Sequence, residues 1–577
     1  MLAARTDIEA IVQDGNEWLT FRDPVQVVAA TRAADVRPAL REVERLTRDH
    51  RLHAVGWVSF EAGAAFGLKV HPGLQQWPLV WFALFDVPSV TRAALFEVTG
   101  DYALGPVKPL LGRDAFRRGF NSIREHIGSG DSYQANFTFQ TTASFLGDPR
   151  ALFRDLVEAQ RGRYSAFRTI GDIAVCSPSP ELFFELDGAA IRTRPMKGTA
   201  ARGLTSLDDA EVRARLIASP KERAENVMIV DMMRNDLGRI AEVGSVSVPA
   251  LFEAERYPTL WQLTSQVVGT TSASLEEIFM AIHPSASVTG APKVRTMELL
   301  ADLETQPRGI YTGAIGHVPP DGNARFNVAI RTAVVDRSAG RIQLGVGSGI
   351  VWDSDADAEY DECLLKSAVL GRRAVVFDLL ETLKWTDTAG FLLVDRHLDR
   401  MAASADYFGI PWSRDSAYDA LMSAVAGARG ARRVRLLLTR DGAARVELGD
   451  LTPVLAPLRV AFAPTPVSSA DVWLHHKTTN RAVYDSARAA VPGVDDVVLW
   501  NEREEVTEST VANVVAEIDG ARVTPPVSSG LLAGTFRAEL LARGQIAERV
   551  IRLEELRGVP LWLVNSVREW CRAELVP

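Results

Sequence analysis

The clearest pattern lies between Arg308 and Trp352. There apolar and polar residues alternate in three runs, Gly309–Val318, Arg325–Val335 and Arg341–Trp352. The links between them are Pro319-Pro320-Asp321-Gly322-Asn323 and Asp336-Arg337-Ser338-Ala339-Gly340. Short glycine-containing links between alternating runs predict antiparallel hairpins, here a three-stranded meander. Apolar runs at Ala54–Phe60 and Leu79–Val87, the second stopped by Pro88, also predict strands, as do Val246–Pro249 and Thr259–Val268. Ile173 to Leu186 predicts two strands around the rigid connection Ser177-Pro178-Ser179-Pro180-Glu181. Helical periodicity marks Asp114–Gly128, where Phe116, Phe120, Ile123 and Ile127 share one stripe. Arg41–Arg51, Val294–Leu303 and a final stretch from Glu359 to Leu370 read as helices as well. Ser219 and Pro220 suit the N-cap and first position of another helix.

Beyond Gly371-Arg372-Arg373 a second block begins with almost no linker. Asp378–Trp385, Gly390–Val394 and Arg432–Thr439 read as strands, Asp395 to Phe408 as a helix, and Asp495–Asn513 as a hairpin around Asn501-Glu502. We expect boundaries at 1–105, 106–371 and 374–577. A chain of 577 residues is too long for one core, and about three or four domain-sized units follow.

Composition narrows the class. The hydrophobic fraction of 47% is ordinary for a globular protein. A formal net charge of -9, with no Lys/Arg block, argues against nucleic acid as a partner. Cys176, Cys363 and Cys571 lie far apart without metal spacing, which fits a reducing compartment. There is no signal-peptide core and no membrane-length apolar run, so a soluble cytoplasmic protein is expected, with no membrane partner.

Candidate chemistry centres on Arg194 to Asp236. Lys197 sits between Pro195 and Gly198, where a tight turn is expected. Glu222 and Glu225 stand three apart, on one face of a helix, and Glu359 and Glu362 repeat that spacing. Taken singly these are a surface turn lysine and solvated glutamate pairs. Together they are a lysine able to act as nucleophile and carboxylates that suit Mg²⁺. Gly345, Gly347 and Gly349 alternate along a strand, which lets a ligand approach the backbone. Arg331, mid-strand among apolar residues, calls for a carboxylate partner. The small-residue loop from His283 to Lys293 precedes a helix and could receive an anion. Adjacent His475 and His476 point apart on a strand and lack a third ligand, and Lys477 among polar residues is expected to be exposed.

Residues from about 55 to 370 resemble the chorismate-utilising enzymes, the group containing anthranilate synthase and aminodeoxychorismate synthase. The matching pieces are Gly130-Asp131-Ser132-Tyr133-Gln134-Ala135-Asn136, Pro195-Met196-Lys197-Gly198-Thr199, Ala224-Glu225-Asn226, Arg234-Asn235-Asp236-Leu237, Thr289-Gly290-Ala291-Pro292-Lys293, Ile330-Arg331-Thr332 and Gly345-Val346-Gly347-Ser348-Gly349. The resemblance implies an α/β sandwich of antiparallel sheets around one chorismate and Mg²⁺ site. Glu222, Glu225, Glu359 and Glu362 would surround the metal. Arg331 and the Gly347-Ser348-Gly349 backbone would hold substrate carboxylates, with Gln134, Thr199, Thr289, Lys293 and Tyr311 as further substrate contacts. Lys197 is similar to the lysine of the aminodeoxychorismate-forming members, where anthranilate synthases carry alanine. In those members the amine adds to C2 of the ring as the 4-hydroxyl leaves, and ammonia then adds at C4. Gln134 stands where the water-adding isochorismate-type members have a lysine base, which argues against them. Gln262 replaces the histidine of anthranilate synthases, so a general acid is left unassigned, with Glu222 a candidate; Glu181 belongs to the family pattern without an assigned role. No glutaminase segment is visible, so ammonia is expected from a separate glutamine amidotransferase subunit or from solution.

Residues 374–577 resemble the class IV, or fold-type IV, pyridoxal-phosphate enzymes, an α+β fold. The matches are Phe377 with Glu381-Thr382-Leu383, His397-Leu398-Asp399-Arg400, Lys477-Thr478-Thr479-Asn480-Arg481, Val506-Thr507-Glu508 with Ala512-Asn513, and Gly534-Thr535-Phe536-Arg537. The resemblance implies that Lys477 carries pyridoxal 5'-phosphate and moves protons, that Glu508 pairs with the pyridine nitrogen, and that Arg400 binds the phosphate with groups near Thr535 and Ser566. The block is short for the fold, with its first strands trimmed. A homodimer through this block is a further expectation. Read together, the two resemblances imply synthesis of 4-amino-4-deoxychorismate followed by loss of pyruvate to 4-aminobenzoate. The alternatives are an anthranilate-type synthase with a transaminase domain, or a catalytically silent C-terminal docking module.

Overall fold

The computed structural model describes residues 8–73, 77–87, 90–93, 98, 100–373, 375–451 and 457–576; Pro88, expected to stop a strand, lies outside them. The chain divides into two compact units. Unit 1 comprises Met1–Ala201 and Arg213–Ala374, and unit 2 comprises Arg202–Val212 and Val375–Pro577. Helices and strands are intermixed in both units, as the α+β expectation has it.

Unit 1 is built on two large sheets, 11- and 10-stranded among the described residues, and every pairing in them is antiparallel. A core of Val55, Trp57, Trp81, Ala83 and Phe85 with Ala10, Val12 and Ala166 lies between the sheets. Helices cover the outer faces. Ala33–Asp49, Pro220–Gly238 and Leu275–Ile282 pack on one sheet, and Arg113–Gly128, Pro149–Gln160 and Ala356–Ser367 on the other. This layering explains why strand Val80–Phe85 is apolar throughout. Trp81, Ala83 and Phe85 enter the inter-sheet core, while Val80, Phe82 and Leu84 enter the helix-covered one.

The expected meander is corrected. Strands Ala314–Val318 and Ala324–Val328 form one hairpin, and Ala333–Asp336 with Arg341–Ile350 another, but the hairpins belong to different sheets. The chain crosses from sheet to sheet at Ala329–Thr332, and Arg331 there has φ of 58°, not strand geometry. A left-handed non-glycine residue costs about 1–2 kcal/mol and ends the alternation that the apolar neighbours imitate. A second crossing, Pro180-Glu181, joins Ile173–Ser179 in one sheet to Leu182–Asp187 in the other. The crossings are stitched together. Ser179 Oγ donates to the Val328 carbonyl at 2.6 Å, Val328 N–H donates to the Glu181 carbonyl at 3.1 Å, and the Ser177 and Thr332 hydroxyls lie 2.8 Å apart.

Two helix boundaries differ from expectation. The first helix starts at Ala33, two turns before Arg41, because Val36, Ala39, Leu40 and Val43 already form its buried stripe. The last helix starts at Ala356, capped by Asp355, which accepts from the Asp357 and Ala358 N–H groups.

Unit 2 holds a four-stranded antiparallel sheet and an eight-stranded mixed sheet among the described residues. The first opens at Leu379–Thr386 and is covered by helices Val394–Phe408 and Arg414–Ala424. The expected hairpin forms between Asp496–Trp500 and Val506–Ser509. Arg202–Val212 is a part of unit 2 that no sequence signal marked. Tyr407 Oη donates to the Gly203 carbonyl at 2.8 Å, and the His476 ring reaches the Leu204 carbonyl at 3.1 Å.

In unit 1 the buried pair Arg308 and Glu304, 2.7 Å apart, ties the segment before Tyr311 to the helix after Lys293. Glu304→Ala leaves the guanidinium buried without its carboxylate and is expected to cost about 3–5 kcal/mol. An earlier denaturation transition in tryptophan fluorescence is the readout; an unchanged midpoint would show that the pair contributes nothing net.

Candidate active sites of the two units

Lys197 lies on strand Met196–Ala201, not on a turn. The strand pairs with Leu260–Thr270, but Met196 faces Thr264 while Thr199 faces Gln262, so one extra residue is inserted. This bulge re-aims the side chain between them. Gly198, at φ 97°, supplies the left-handed residue, and a Cβ there would stand 3.0 Å from Glu222 Oε2. Gln262 holds the bulge: its amide donates to the Gly198 carbonyl at 2.9 Å, and its oxygen accepts from Thr199 Oγ1 at 3.0 Å. Asn226 Nδ2 donates to the Lys197 carbonyl at 3.1 Å.

The lysine therefore reaches the glycine face of Arg341–Ile350. A Cβ built on Gly349 would lie 2.5 Å from Lys197 Nζ and 3.1 Å from Gln134 Nε2; one on Gly345 would meet the Tyr311 ring at 2.2 Å. At Gly345 the Tyr311 ring leaves no room for a side chain, and at Gly349 the ends of Lys197 and Gln134 occupy the space a side chain would take. Gln134 is buried, and both its amide nitrogen and oxygen lack a protein partner. Such a group costs about 1–3 kcal/mol if left unsatisfied, which favours a polar ligand beside Lys197.

Carboxylates surround the lysine. Glu225 Oε2 is 3.9 Å from Nζ, and the ammonium interacts electrostatically with Glu181, Glu222, Glu359 and Glu362. Helix Pro220–Gly238 presents Glu222 and Glu225, with Ser219 as its N-cap and Pro220 first, as expected. Burial and then Glu225 raise the Glu222 carboxyl, and Thr199 N–H donates to it. Burial raises Glu359 likewise, and Ser348 Oγ donates to it. Burial pushes Glu362 upward too, but Lys366, 2.6 Å away, outweighs this and leaves it lowered. Among the described residues no three His, Cys, Asp or Glu side chains converge as a metal site.

Arg331 is deeply embedded, and burial lowers its guanidinium from the ordinary value; Tyr311 and Glu362 oppose that. Three expected contacts have other partners. Lys293 Nζ is committed to Asp236 at 2.6 Å and to the Ile282 carbonyl at 3.0 Å. Thr289 Oγ1 donates to the Ser285 carbonyl at 3.1 Å, inside its own loop. Thr199 Oγ1 is engaged by Gln262. The loop before Val294 is thus held by its own contacts, a correction to the expected anion seat.

Two residues gain roles that the sequence reading did not give them. Glu181 is buried, accepts from Ser287 and from Met196 N–H, and is pushed up by burial to about 7. Its place on the sheet crossing next to the Lys197 strand had no local signal. Lys366 donates to the Gly347 carbonyl at 2.9 Å; its position one turn after Glu362, on the same helix face, was a usable signal.

In unit 2, Lys477 and Glu508 line a cavity of about 380 Å³. Lys477 is half-buried there rather than exposed, and burial lowers its amine to about 8. Its strand-like neighbours are fixed by Leu380 N–H, which donates to the Lys477 carbonyl at 2.9 Å. His475 and His476 do point apart, to the Ser469 carbonyl and to Ser404 with Leu204. Glu508 accepts from Tyr484 Oη at 2.8 Å and Leu532 N–H at 3.1 Å, and burial raises it to about 7. Arg400 grips buried Glu381 through Nε and Nη2 at 2.8 and 2.6 Å. Glu381 also bonds His397, which reaches Thr535 Oγ1 at 3.1 Å at the start of helix Thr535–Ala542. Ser566 Oγ donates to the Thr382 carbonyl at 3.2 Å. Arg400, Lys477, Glu508, Thr535 and Ser566 line one cavity.

Comparison with known proteins agrees with both units. The model of the chorismate binding enzyme family matches residues 7–372, and that of amino-transferase class IV matches 378–576. Aminodeoxychorismate synthase component 1 of Klebsiella aerogenes is 40% identical over 287 residues, 49% of this chain and 62% of that protein. An anthranilate synthase component 1 of Haloarcula marismortui is 39% identical over 260 residues, 45% of this chain and 53% of that protein. The chain therefore spans less than two thirds of the length of these curated relatives. Anthranilate synthase component I from Streptococcus pneumoniae shares the fold of unit 1, with TM-score 0.53 and 23% identity over 64% of this chain and 94% of its own.

Competitive acylation across pH checks the environment of Lys477. Half-maximal reactivity is expected near pH 8, against about 10.4 for exposed lysines. A midpoint above 10 would remove the burial argument.

Proposed function

This chain belongs to the chorismate binding enzymes, and we propose that unit 1 makes 4-amino-4-deoxychorismate from chorismate and ammonia, while unit 2 removes pyruvate from that product to give the folate precursor 4-aminobenzoate. One observation carries the reading: the amine of Lys197 stands against the Gly349 backbone beside the unpaired Gln134 amide. The likeness to aminodeoxychorismate synthase component 1 supports it. No membrane-length apolar helix occurs among the described residues. A cytoplasmic location, ammonia from a separate glutamine amidotransferase and pairing with a second copy through unit 2 are part of the proposal.

In this reading Lys197 attacks C2 of the ring while the 4-hydroxyl departs, and ammonia then adds at C4 as the lysine leaves C2. Glu181, near neutrality and within the field of Lys197, takes the lysine proton and returns it to the departing hydroxyl. A carboxyl with pKa near the working pH suits both halves of that transfer. Gln262 is assigned to the bulge, because an amide hydrogen-bonds but does not protonate. Arg331 and the Gly347-Ser348-Gly349 backbone receive the substrate carboxylates. Glu222, Glu225, Glu359 and Glu362 are hard oxygen donors around Lys197, and they would hold Mg²⁺, which would offset the charge of the bound substrate.

The unit 2 cavity suits pyridoxal 5'-phosphate. It joins an amine lowered to about 8, a buried carboxyl and an arginine beside a helix start. The cofactor would supply an electron sink for bond cleavage next to the substrate amine. Lys477 would hold it and would take the proton at C4 of the substrate. Glu508 would face the ring nitrogen, and Arg400, with the Thr535 helix start and Ser566, would take the phosphate.

An anthranilate-type reaction is the second reading, favoured by the Haloarcula relative. Incubating the full chain with chorismate, Mg²⁺, ammonium and pyridoxal phosphate separates the two. 4-Aminobenzoate and pyruvate are expected, and none with Lys197→Ala; anthranilate would overturn the unit 1 reading, and aminodeoxychorismate alone would overturn that of unit 2. Glu181→Gln is expected to slow aminodeoxychorismate formation by about 10²–10⁴-fold while sparing pyruvate release from supplied aminodeoxychorismate; equal turnover would remove Glu181 from the proton path.

A further inference from the structure

The unit 2 cavity is strongly basic on one side. Besides Lys477 it is lined by five arginines, Arg400, Arg433, Arg435, Arg481 and Arg568, against two acids, Asp450 and Glu508. Both acids are engaged: Arg432 pairs with Asp450, and Glu508 is held by Tyr484, Leu532 and Asn513. Three of the arginines are engaged as well. Arg400 binds Glu381, Arg435 binds Glu447 at 2.7 Å, and Arg481 donates to the Thr510 carbonyl and lies over the Tyr484 ring.

Arg433 and Arg568 differ. Neither guanidinium has a hydrogen-bond or ion-pair partner among the described residues, and both residues are exposed at the cavity. Arg433 lies on strand Arg432–Leu438, facing Lys384 on one neighbouring strand and Gly449 on the other. The Arg433 guanidinium lies beside Gly449, where a Cβ would stand 3.5 Å from its Nη2. Lys384 is occupied by Glu569 at 2.9 Å and does not compete for an anion. Arg568 lies in the turn after strand Leu561–Asn565, where its N–H donates to Asn565 Oδ1. Two unspent forks in one cavity fit two separate carboxylates better than one, since each presents a planar pair of donors.

We propose that Arg433 and Arg568 are specificity residues of unit 2, each receiving one carboxylate of a ring-bearing dicarboxylate amine. The inference rests on the lyase reading for its natural ligand, whose ring carboxylate and enolpyruvyl carboxylate supply the two anions. A ligand with one carboxylate leaves one fork unused. Both arginines act in binding rather than at the reacting bond, so their loss raises KM while leaving kcat.

The test uses the full chain without added cofactor and reads protection of Lys477, which reports on this cavity and not on unit 1. Isophthalate and benzoate serve as probes, and acylation of Lys477 is followed by peptide mass. Isophthalate is expected to protect at concentrations at least ten-fold lower than benzoate. Arg433→Gln and Arg568→Gln should each raise the isophthalate concentration needed by ten-fold or more, with benzoate shifted less than two-fold for one of them and the lysine variants restoring part of the effect. Protection by isophthalate that is indifferent to both substitutions overturns the proposal. With cofactor and aminodeoxychorismate, a raised KM at constant kcat supports it, and pyruvate release at unchanged KM overturns it while leaving the lyase reading intact. Arginine-dependent protection without any pyruvate release keeps the dicarboxylate site and removes the lyase reading. Thermal midpoints equal to the parent verify that the exposed substitutions leave the fold in place.

Discussion

Unit 1 depends on a close approach between a lysine amine and a bare strand. Lys197 reaches the Gly349 backbone because a bulge turns it, a left-handed glycine permits the bulge, and Gln262 clamps it. Around the ammonium gather five glutamates, and Lys366 and Arg331 act on one of them, Glu362. Burial raises Glu181 and Glu222 there while Lys366 lowers Glu362, so one site holds carboxyls of unequal acidity. The glycine face, the bulge and the carboxylates meet at one amine, because the tip of Lys197 occupies the space that a side chain at Gly349 would take.

The two sheet crossings make this device possible. A strand within a sheet has every residue committed to one face or the other, whereas a crossing can turn side chains into the gap. Glu181 and Arg331 both sit on crossings, and hydrogen bonds between the crossings fix them relative to each other. The left-handed geometry of Arg331 is the local strain accepted for that placement. Unit 2 solves its own problem by burial: Lys477 and Glu508 are moved toward neutrality from opposite sides because charge is costly in the same enclosed space. Arg400 is held there by Glu381, which also bonds His397.

Legibility varied with how local the signal was. The Pro220–Gly238 helix, its Ser219 cap and the glutamate pair were readable because capping and i,i+3 spacing are local. The alternating glycines announced a close approach, and the structure places Tyr311 and Lys197 against them. Lys293 misled because a lysine before a helix resembles an anion seat, while its partner Asp236 is distant in sequence. The meander misled because hairpin links look the same whether the next strand stays in the sheet or leaves it. Glu181 was present in the motif yet mute, since its burial and its neighbour Lys197 arise only when the crossing and the bulged strand meet.

By itself the sequence determined the residue types, the helices and hairpins, the two-block organisation and the chemical inventory of lysines, glutamates and arginines. These follow from spacing, capping and turn chemistry within a few residues of each position. Only the tertiary structure decided which lysine faces a bare backbone, which carboxyl is held near neutrality, and which arginines keep free forks. Those properties depend on partners brought together from far along the chain, and on the loss of water around them, neither of which a local pattern records.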